Sequence, residues 1–183
     1  MNKAILMSIQ PKWLAKILNG DKTIDIRKTM PKCELPIDVY LYCTKGTLYF
    51  NSYENEWETS KVDRKLLNPN LFHRDGKVVA KFTLNKCYEL EFEGEDWNTY
   101  YWKNTIISGS QLEKKSCLTQ CDMEDYAGDK NIYAWHIDNL VTFEPMELGQ
   151  FYKFKYRTEF EERYTPIKQA PQSWQYAYVK GKV

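Results

Sequence analysis

Long hydrophobic runs are absent from this 183-residue sequence. Nothing approaches the roughly 18 consecutive apolar residues of a membrane span, so no membrane partner is expected. The apolar opening Ala4–Ile9 covers six residues, too short for a secretory core and strand-like in pattern. The chain is therefore expected in the cytoplasm. Histidine is nearly missing: His73 and His136 are the only two. The five cysteines, Cys33, Cys43, Cys87, Cys117 and Cys121, are odd in number and not closely paired, which fits reduced thiols. Cys117 and Cys121 supply at most half of a four-ligand zinc site, so neither a metal nor another cofactor is expected. No spacing selects a Cys–His catalytic pair. The G-x-S-x-G elbow, the P-loop, H-E-x-x-H and the dinucleotide fingerprint are all lacking. So are internal repeats, low-complexity tracts and linkers, and the chain reads as one domain, 1–183.

A net charge of +1 gives no global basic signal for nucleic acid. The charge is unevenly spread, however. Residues 1–50 hold eight Lys/Arg against four Asp/Glu, and residues 84–130 hold five against ten. A local positive cleft is compatible with that split. Aromatic residues are abundant instead, with 14 Tyr and 6 Trp. Their apolar bodies and polar tips suit the half-buried faces of a small barrel, or a surface on which bases stack.

The most informative stretch is Gly20-Asp21-Lys22-Thr23-Ile24-Asp25-Ile26-Arg27. It follows a helix expected over residues 11–19, with Pro11 at its first position. The stripe Trp13, Leu14, Ile17 and Leu18 lies opposite Lys12 and Lys16, and Asn19-Gly20 ends the helix. From Thr23 to Arg27 the alternation is strict. Ile24 and Ile26 share one face, while Thr23, Asp25 and Arg27 form a row of polar groups about 7 Å apart on the other. Lys22 sits at the mouth of that row. Such a ledge on a rigid strand suits a ligand. A solvated strand face with an Asp–Arg pair worth ~0–1 kcal/mol is the competing reading. On the ledge reading, Lys22→Ala and Arg27→Ala weaken binding and leave the melting temperature nearly unchanged.

The stretch closely resembles the G-x-K-x-x-E-x-R signature of ASCH domains, members of the PUA-like superfamily of small β-barrels. Gly20, Lys22 and Arg27 match, and Asp25 stands where the pattern has Glu. The opening Ile5–Trp13 and the late Gln172-Ser173-Trp174 also resemble the start and finish of phage-type and bacterial members. The resemblance implies an α+β fold: a small twisted, largely antiparallel PUA-like β-barrel with flanking short helices. Some ASCH members are amidohydrolases acting on acetylated cytidine. Their motif lysine falls at Lys22, but their threonine falls at Asp25, and a carboxylate cannot replace a hydroxyl nucleophile. Another member is reported as a ribonuclease.

Further strands are expected at Lys3–Ile9, Ile37–Thr44, Lys77–Leu90 with a bend near Asn85, Ile132–Phe143 ended by Pro145, and Ser173–Lys180. Residues 45–76 read as an insertion with a short hairpin near Thr47–Tyr53 and turns at Asn68-Pro69-Asn70 and Asp75-Gly76. Glu89–Asp96 reads as an edge. A short helix Met123–Ala127 is capped by Thr119–Asp122 and followed by Gly128. Residues 147–156 read as a turn and an edge segment. The expected core includes Trp13, Leu14, Ile17, Leu18, Ile24, Ile26, Val39, Leu41, Val79 and Ile137.

Ligand-binding candidates are Ser8, Lys12, Lys22, Asp25, Arg27, His136, Gln172, Ser173 and Trp174, and catalytic candidates are Lys22 and Asp25. Lys12 lies near a helix start that favours anions, and Arg27 offers a planar fork. Asp25 would accept from a base amine or orient Arg27. Trp135 and His136 must face opposite ways, and Trp174 would either stack a base or fill the core. The expected activity is binding of a nucleic acid or nucleotide: RNA, or a modified base or nucleoside. One alternative is a hydrolase acting on a nucleoside amide or RNA phosphodiester, which requires a buried Lys22. Another is a regulatory module that binds protein through the tyrosine-rich insertion.

Overall fold

The computed structural model describes residues 1–45, 47–51, 56–60, 76–92, 99–102 and 105–181. The expected turn at Asn68-Pro69-Asn70, Asp75 of the Asp75-Gly76 turn and the end of the Glu89–Asp96 edge lie outside them. The architecture is α+β, with short helices among many strands. Two compact units share the chain: one holds 1–15, 37–82 and 140–183, the other 16–36 and 83–139.

The first unit carries a seven-stranded sheet. Its strands are β1 (Asn2–Ile9), β3 (Ile37–Cys43), β6 (Val78–Leu84), β11 (Asp138–Met146), β12 (Phe151–Arg157), β13 (Glu162–Pro166) and β14 (Trp174–Val179). They run in the order β11-β6-β3-β1-β14-β12-β13. β1 is parallel to β3 and antiparallel to β14. The near-continuous apolar runs of β1 and β3 reflect this central place, because a strand covered on both faces needs apolar side chains on both. Ala4, Leu6, Tyr40, Tyr42, Val78, Phe151 and Ala177 pack into one core, while Ile5 and Met7, on the opposite face of β1, are also fully buried. A hairpin of β4 (Thr47–Asn51) and β5 (Glu56–Ser60) accounts for part of the 45–76 insertion.

The second unit holds a five-stranded antiparallel sheet of β2 (Ile24–Arg27), β7 (Cys87–Phe92), β8 (Thr99–Trp102), β9 (Thr105–Ser108) and β10 (Ile132–His136). Its order is β2-β10-β7-β8-β9. Two helices cover one face, α2 (Gly109–Ser116) and α3 (Gln120–Ala127); α1 is Pro11–Leu18. Ile24, Ile26, Leu90, Ile132 and Ala134 pack there against Leu112, Met123 and Ala127. Ser108 caps α2 by accepting from the Gln111 N–H, and Thr119 and Asp122 form a reciprocal capping box on α3. The box starts α3 three residues earlier than expected.

Several expectations need correction. The α+β expectation holds, while among the described strands none of the sheets closes on itself, so closure into the expected barrel is not seen there. The long strand Lys77–Leu90 is broken at Asn85-Lys86, and its halves join different sheets as β6 and β7. Ile132–Phe143 divides likewise at Ile137 into β10 and β11, and Asn139, early in β11, takes φ 49°. Pro145 does not end β11, which runs to Met146. β11 is a sheet edge, where a missing N–H can face outward at no cost. β12 lies inside the sheet, and the edge falls to β13 instead. Trp13, Leu18 and Ile137 are half-buried, whereas Leu14, Ile17, Ile24, Ile26, Val39, Leu41 and Val79 are core.

Ile24 is wholly buried among the helix-facing residues of the second unit. Ile24→Ala is expected to lower stability by about 2–5 kcal/mol through the cavity it leaves. Val141→Ala, at a 48 % exposed position, should stay within about 0.5 kcal/mol. Urea unfolding followed by tryptophan fluorescence measures both.

Candidate functional site

The chain reaches β2 through a tight turn. Gly20 takes φ 82°, a conformation that glycine adopts without strain. The N–H groups of Asp21 and Lys22 both donate to the Lys16 carbonyl, turning the chain back on α1. The Thr23 N–H then donates to the Lys115 carbonyl at 2.9 Å, fastening the entry of β2 to the last turn of α2. Lys22 is drawn to the same place. Its Nζ donates to the Ser116 carbonyl at 2.7 Å, one of the orphan acceptors at a helix C-terminus, where the helix dipole also favours a cation.

Around that amine sits a buried ionic cluster. Lys22 Nζ lies 3.4 Å from Asp25 Oδ1, and Arg27 Nε donates to Asp25 Oδ2 at 2.6 Å. Relative exposures of Lys22, Asp25 and Arg27 are 2, 4 and 8 %. The polar row is therefore not a solvent-facing ledge: Ile24 and Ile26 fill the helix-covered core while Asp25 and Arg27 are buried too. Thr23 alone of the row is exposed.

Electrostatics follow from burial and pairing. Burial would raise the Asp25 carboxyl, but the neighbouring Arg27 and Lys22 cations and their hydrogen bonds outweigh it and hold it below the ordinary 3.8. Burial lowers the Lys22 ammonium, and the attraction of Asp25 offsets this only in part. Two cations thus share one carboxylate. The Lys22 amine is easier to deprotonate than a lysine in water.

The register decides what else shares the cluster's face. Asp25 lies opposite Trp135, and Trp135 opposite Cys87; Arg27 lies opposite Tyr133, and Tyr133 opposite Glu89. Trp135 is fully buried and donates from Nε1 to the Thr29 carbonyl at 3.1 Å. His136 pairs with Ile24 and points to the opposite, helix-covered face, where its ring meets Tyr88 edge-on at 5.9 Å. Burial also lowers its imidazole below the ordinary range, against the pull of Asp138. His136 is thus not brought to the cluster; Trp135 is the residue that sequence reasoning passed over. Strict alternation already required one of the pair to face Asp25. Burial pushes the Cys87 thiol up to about 12, which removes it as a thiolate nucleophile.

The remaining candidates belong to the first unit. Ser8 Oγ donates to the Pro171 carbonyl at 2.6 Å, and its N–H donates to the Ser173 carbonyl at 2.9 Å. Ser8 therefore fastens the end of β1 to the segment before β14. Gln172 is exposed; Ser173 and Trp174 are half-buried, with Trp174 edge-on to Tyr176 at 5.6 Å. Lys12 places its ammonium 5.3 Å from the centre of the Trp13 ring. Among the described residues, no group of three His, Cys, Asp or Glu side chains is placed to hold a metal ion.

No protein-family model matches this sequence, and no curated protein matches it. Its fold does match solved structures. One is the crystal structure of ASCH from Zymomonas mobilis, with TM-score 0.51 and 15 % identity over 94 % of this chain and 85 % of that one. A second is a serine-to-alanine variant of the Zymomonas mobilis protein, with TM-score 0.50 and 14 % identity over 94 % and 86 %. This chain has the fold of an ASCH domain. The likeness of folds agrees with the Gly20–Arg27 motif, an observation made on different grounds.

Burial reverses the expectation that Arg27→Ala leaves the melting temperature unchanged. Removing Arg27 strands a buried carboxylate with one remaining cation, which should cost about 3–5 kcal/mol, measured by denaturant unfolding. Because Asp25 titrates lower when folded than unfolded, its contribution is present above the ordinary 3.8 and fades as pH falls through the folded value. Asp25→Asn should flatten that part of the acid limb in a series of melts between pH 6 and pH 2.

Proposed function

We propose that this ASCH-fold protein binds RNA or a modified nucleotide through the Lys22–Asp25–Arg27 cluster. The observation that carries this reading is the cluster itself: two cations, each paired with the Asp25 carboxylate, are buried together in fixed geometry. In a low-dielectric setting a buried cation attracts an anion more strongly than a surface lysine does. The Asp25 bond to Nε sets the plane of the Arg27 guanidinium, and a planar fork so fixed suits a phosphate or a base edge. Asp25 acts as the orienting group. Trp135 backs the same face of the sheet and keeps it dry.

A hydrolase is the second reading, favoured by the burial of Lys22 and its lowered pKa. An amine so depressed can take a proton from water attacking a nucleoside amide. Asp25 has no hydroxyl to serve as nucleophile, so water is the attacking group in this version.

The test uses Arg27→Lys, which keeps the buried charge and loses the planar fork. Fluorescence anisotropy with labelled single-stranded RNA, and thermal shift with a panel of nucleotides and modified nucleosides, should show binding by the native chain. The variant should bind about 5- to 100-fold more weakly, the equivalent of roughly 1–3 kcal/mol, with an unchanged circular dichroism spectrum. Native affinity in a folded Arg27→Lys protein would remove the cluster from the site. Chromatography of the same nucleoside mixtures after incubation separates the two readings, since only a hydrolase converts them.

A further inference from the structure

Aromatic side chains gather on one face of the first unit's sheet, and they take no part in its core. The order β14-β12-β13 puts β12 between two partners. Phe154 lies opposite Tyr164 on β13, and Tyr152 lies opposite Tyr178 on β14. The rings of Phe154, Tyr164 and Tyr178 meet at centroid distances of 5.7, 6.2 and 4.8 Å. Phe154 is 44 % exposed, and the two tyrosines are half-exposed. Phe151, three residues earlier on β12, turns the other way into the core and is fully buried. Strand alternation alone would place a polar residue at 154 on a solvent-facing sheet.

Two lysines complete the face. Lys3 lies opposite Tyr178 in the register of β1 and holds its ammonium 4.3 Å from the centre of the Tyr176 ring. Lys180, just past the end of β14, holds its own 5.2 Å from the centre of Tyr152. At the other end of β12 the chain turns through Glu159, Glu161 and Glu162, and Tyr164 Oη donates to Glu162 Oε2 at 2.7 Å. The face is therefore polar along its length: anions meet cations at the Lys3–Lys180 end and carboxylates at the turn.

We infer that this face of β12, β13 and β14 is a stacking platform for single-stranded nucleic acid, with bases on Phe154, Tyr164 and Tyr178 and phosphates beside Lys3 and Lys180. A protein partner would be served equally well by the aromatic cluster, but the flanking cations select a ligand that alternates flat apolar rings with negative charge. That alternation is the chemistry of a single strand. A duplex hides its ring faces and does not fit. This platform is separate from the Lys22–Asp25–Arg27 cluster and does not depend on what that cluster binds.

Anisotropy titrations of labelled twelve-nucleotide oligouridylate and oligothymidylate, at several salt concentrations, test the inference. Phe154→Ala with Tyr164→Ala should weaken both oligomers at least tenfold and leave mononucleotide thermal shifts at native values. Lys3→Gln with Lys180→Gln should reduce the slope of log affinity against log salt by about 1.4, at roughly 0.7 for each lost phosphate contact. Ultraviolet cross-linking should mark peptides containing Tyr164 or Tyr178. Native oligomer affinity in the folded aromatic variant would overturn the platform, as would failure of the native chain to bind either oligomer. A concentration-dependent dimer abolished by Phe154→Ala would overturn it too, because the face would then be covered by a second copy. Loss of binding in the aromatic variant with none in Arg27→Lys would uphold the platform and refute the cluster.

Discussion

The Asp25 carboxylate is the interaction on which the second unit depends. It lies in β2 with 4 % of its surface exposed, and both of its oxygens are committed to cations, one to Lys22 and one to Arg27. A lone carboxylate at that depth would cost several kcal/mol and would take up a proton instead. Lys22 is held in turn by the C-terminal carbonyl of α2, whose neighbouring residue Lys115 also anchors the backbone of Thr23. One charged group thus ties a strand, a turn and a helix end together. On the opposite face of the same four-residue strand, Ile24 and Ile26 bind it to α2 and α3 through apolar packing. β2 is short, and its attachment is ionic on one side and apolar on the other.

This double duty constrains what the cluster can do for a ligand. Groups that are only structural would be served as well by a neutral arrangement, since buried ion pairs are often no more stabilising than apolar replacements of the same volume. A ligand bound as proposed would compete with Asp25 for Arg27 and would therefore have to offer more than a weak dipole. A phosphate or a base edge with two acceptors meets that condition, and a simple alcohol does not. On the proposed function the same competition would give selectivity: the carboxylate repels a second negative charge, so a singly charged or neutral bidentate group would fit better than a multiply charged one.

The sequence made the β2 alternation, the helix before it and the α3 capping box legible, because each is a local pattern with a direct physical cause. Val39, Leu41 and Val79 could be placed in the core for the same reason. What it could not convey was burial on the polar side of β2. Alternation distinguishes two faces but does not say what covers the second, and a row of Thr, Asp and Arg looks solvated until its partners are known. The bend near Asn85 was legible in place but not as a change of sheet, and the break at Ile137 escaped, for a related reason. Both stretches keep strand-like composition across the break, and only pairing with different sheets divides them. Helical pieces were expected within residues 97–130, but the bounds of α2 were blurred by its own sequence, Gly-Ser-Gln-Leu-Glu-Lys-Lys-Ser, in which Leu112 is the one large apolar residue. Tertiary contact supplies its stability, as it does for most helices of eight residues.

The two surfaces differ in the physics by which they would hold a ligand, and salt separates them. Charges buried in the Lys22–Asp25–Arg27 cluster are poorly screened, so binding there would change little between low and physiological ionic strength. Lys3 and Lys180 are exposed, so their share of binding falls steeply with salt while the ring contacts of Phe154, Tyr164 and Tyr178 persist. A short ligand that reaches only the buried cluster and a longer strand that reaches only the sheet face should therefore respond to salt in opposite measure. Because the cluster's charged groups are fixed inside the fold, a site built on them would discriminate by shape. The aromatic face, open and tolerant, can hold a strand without regard to its sequence.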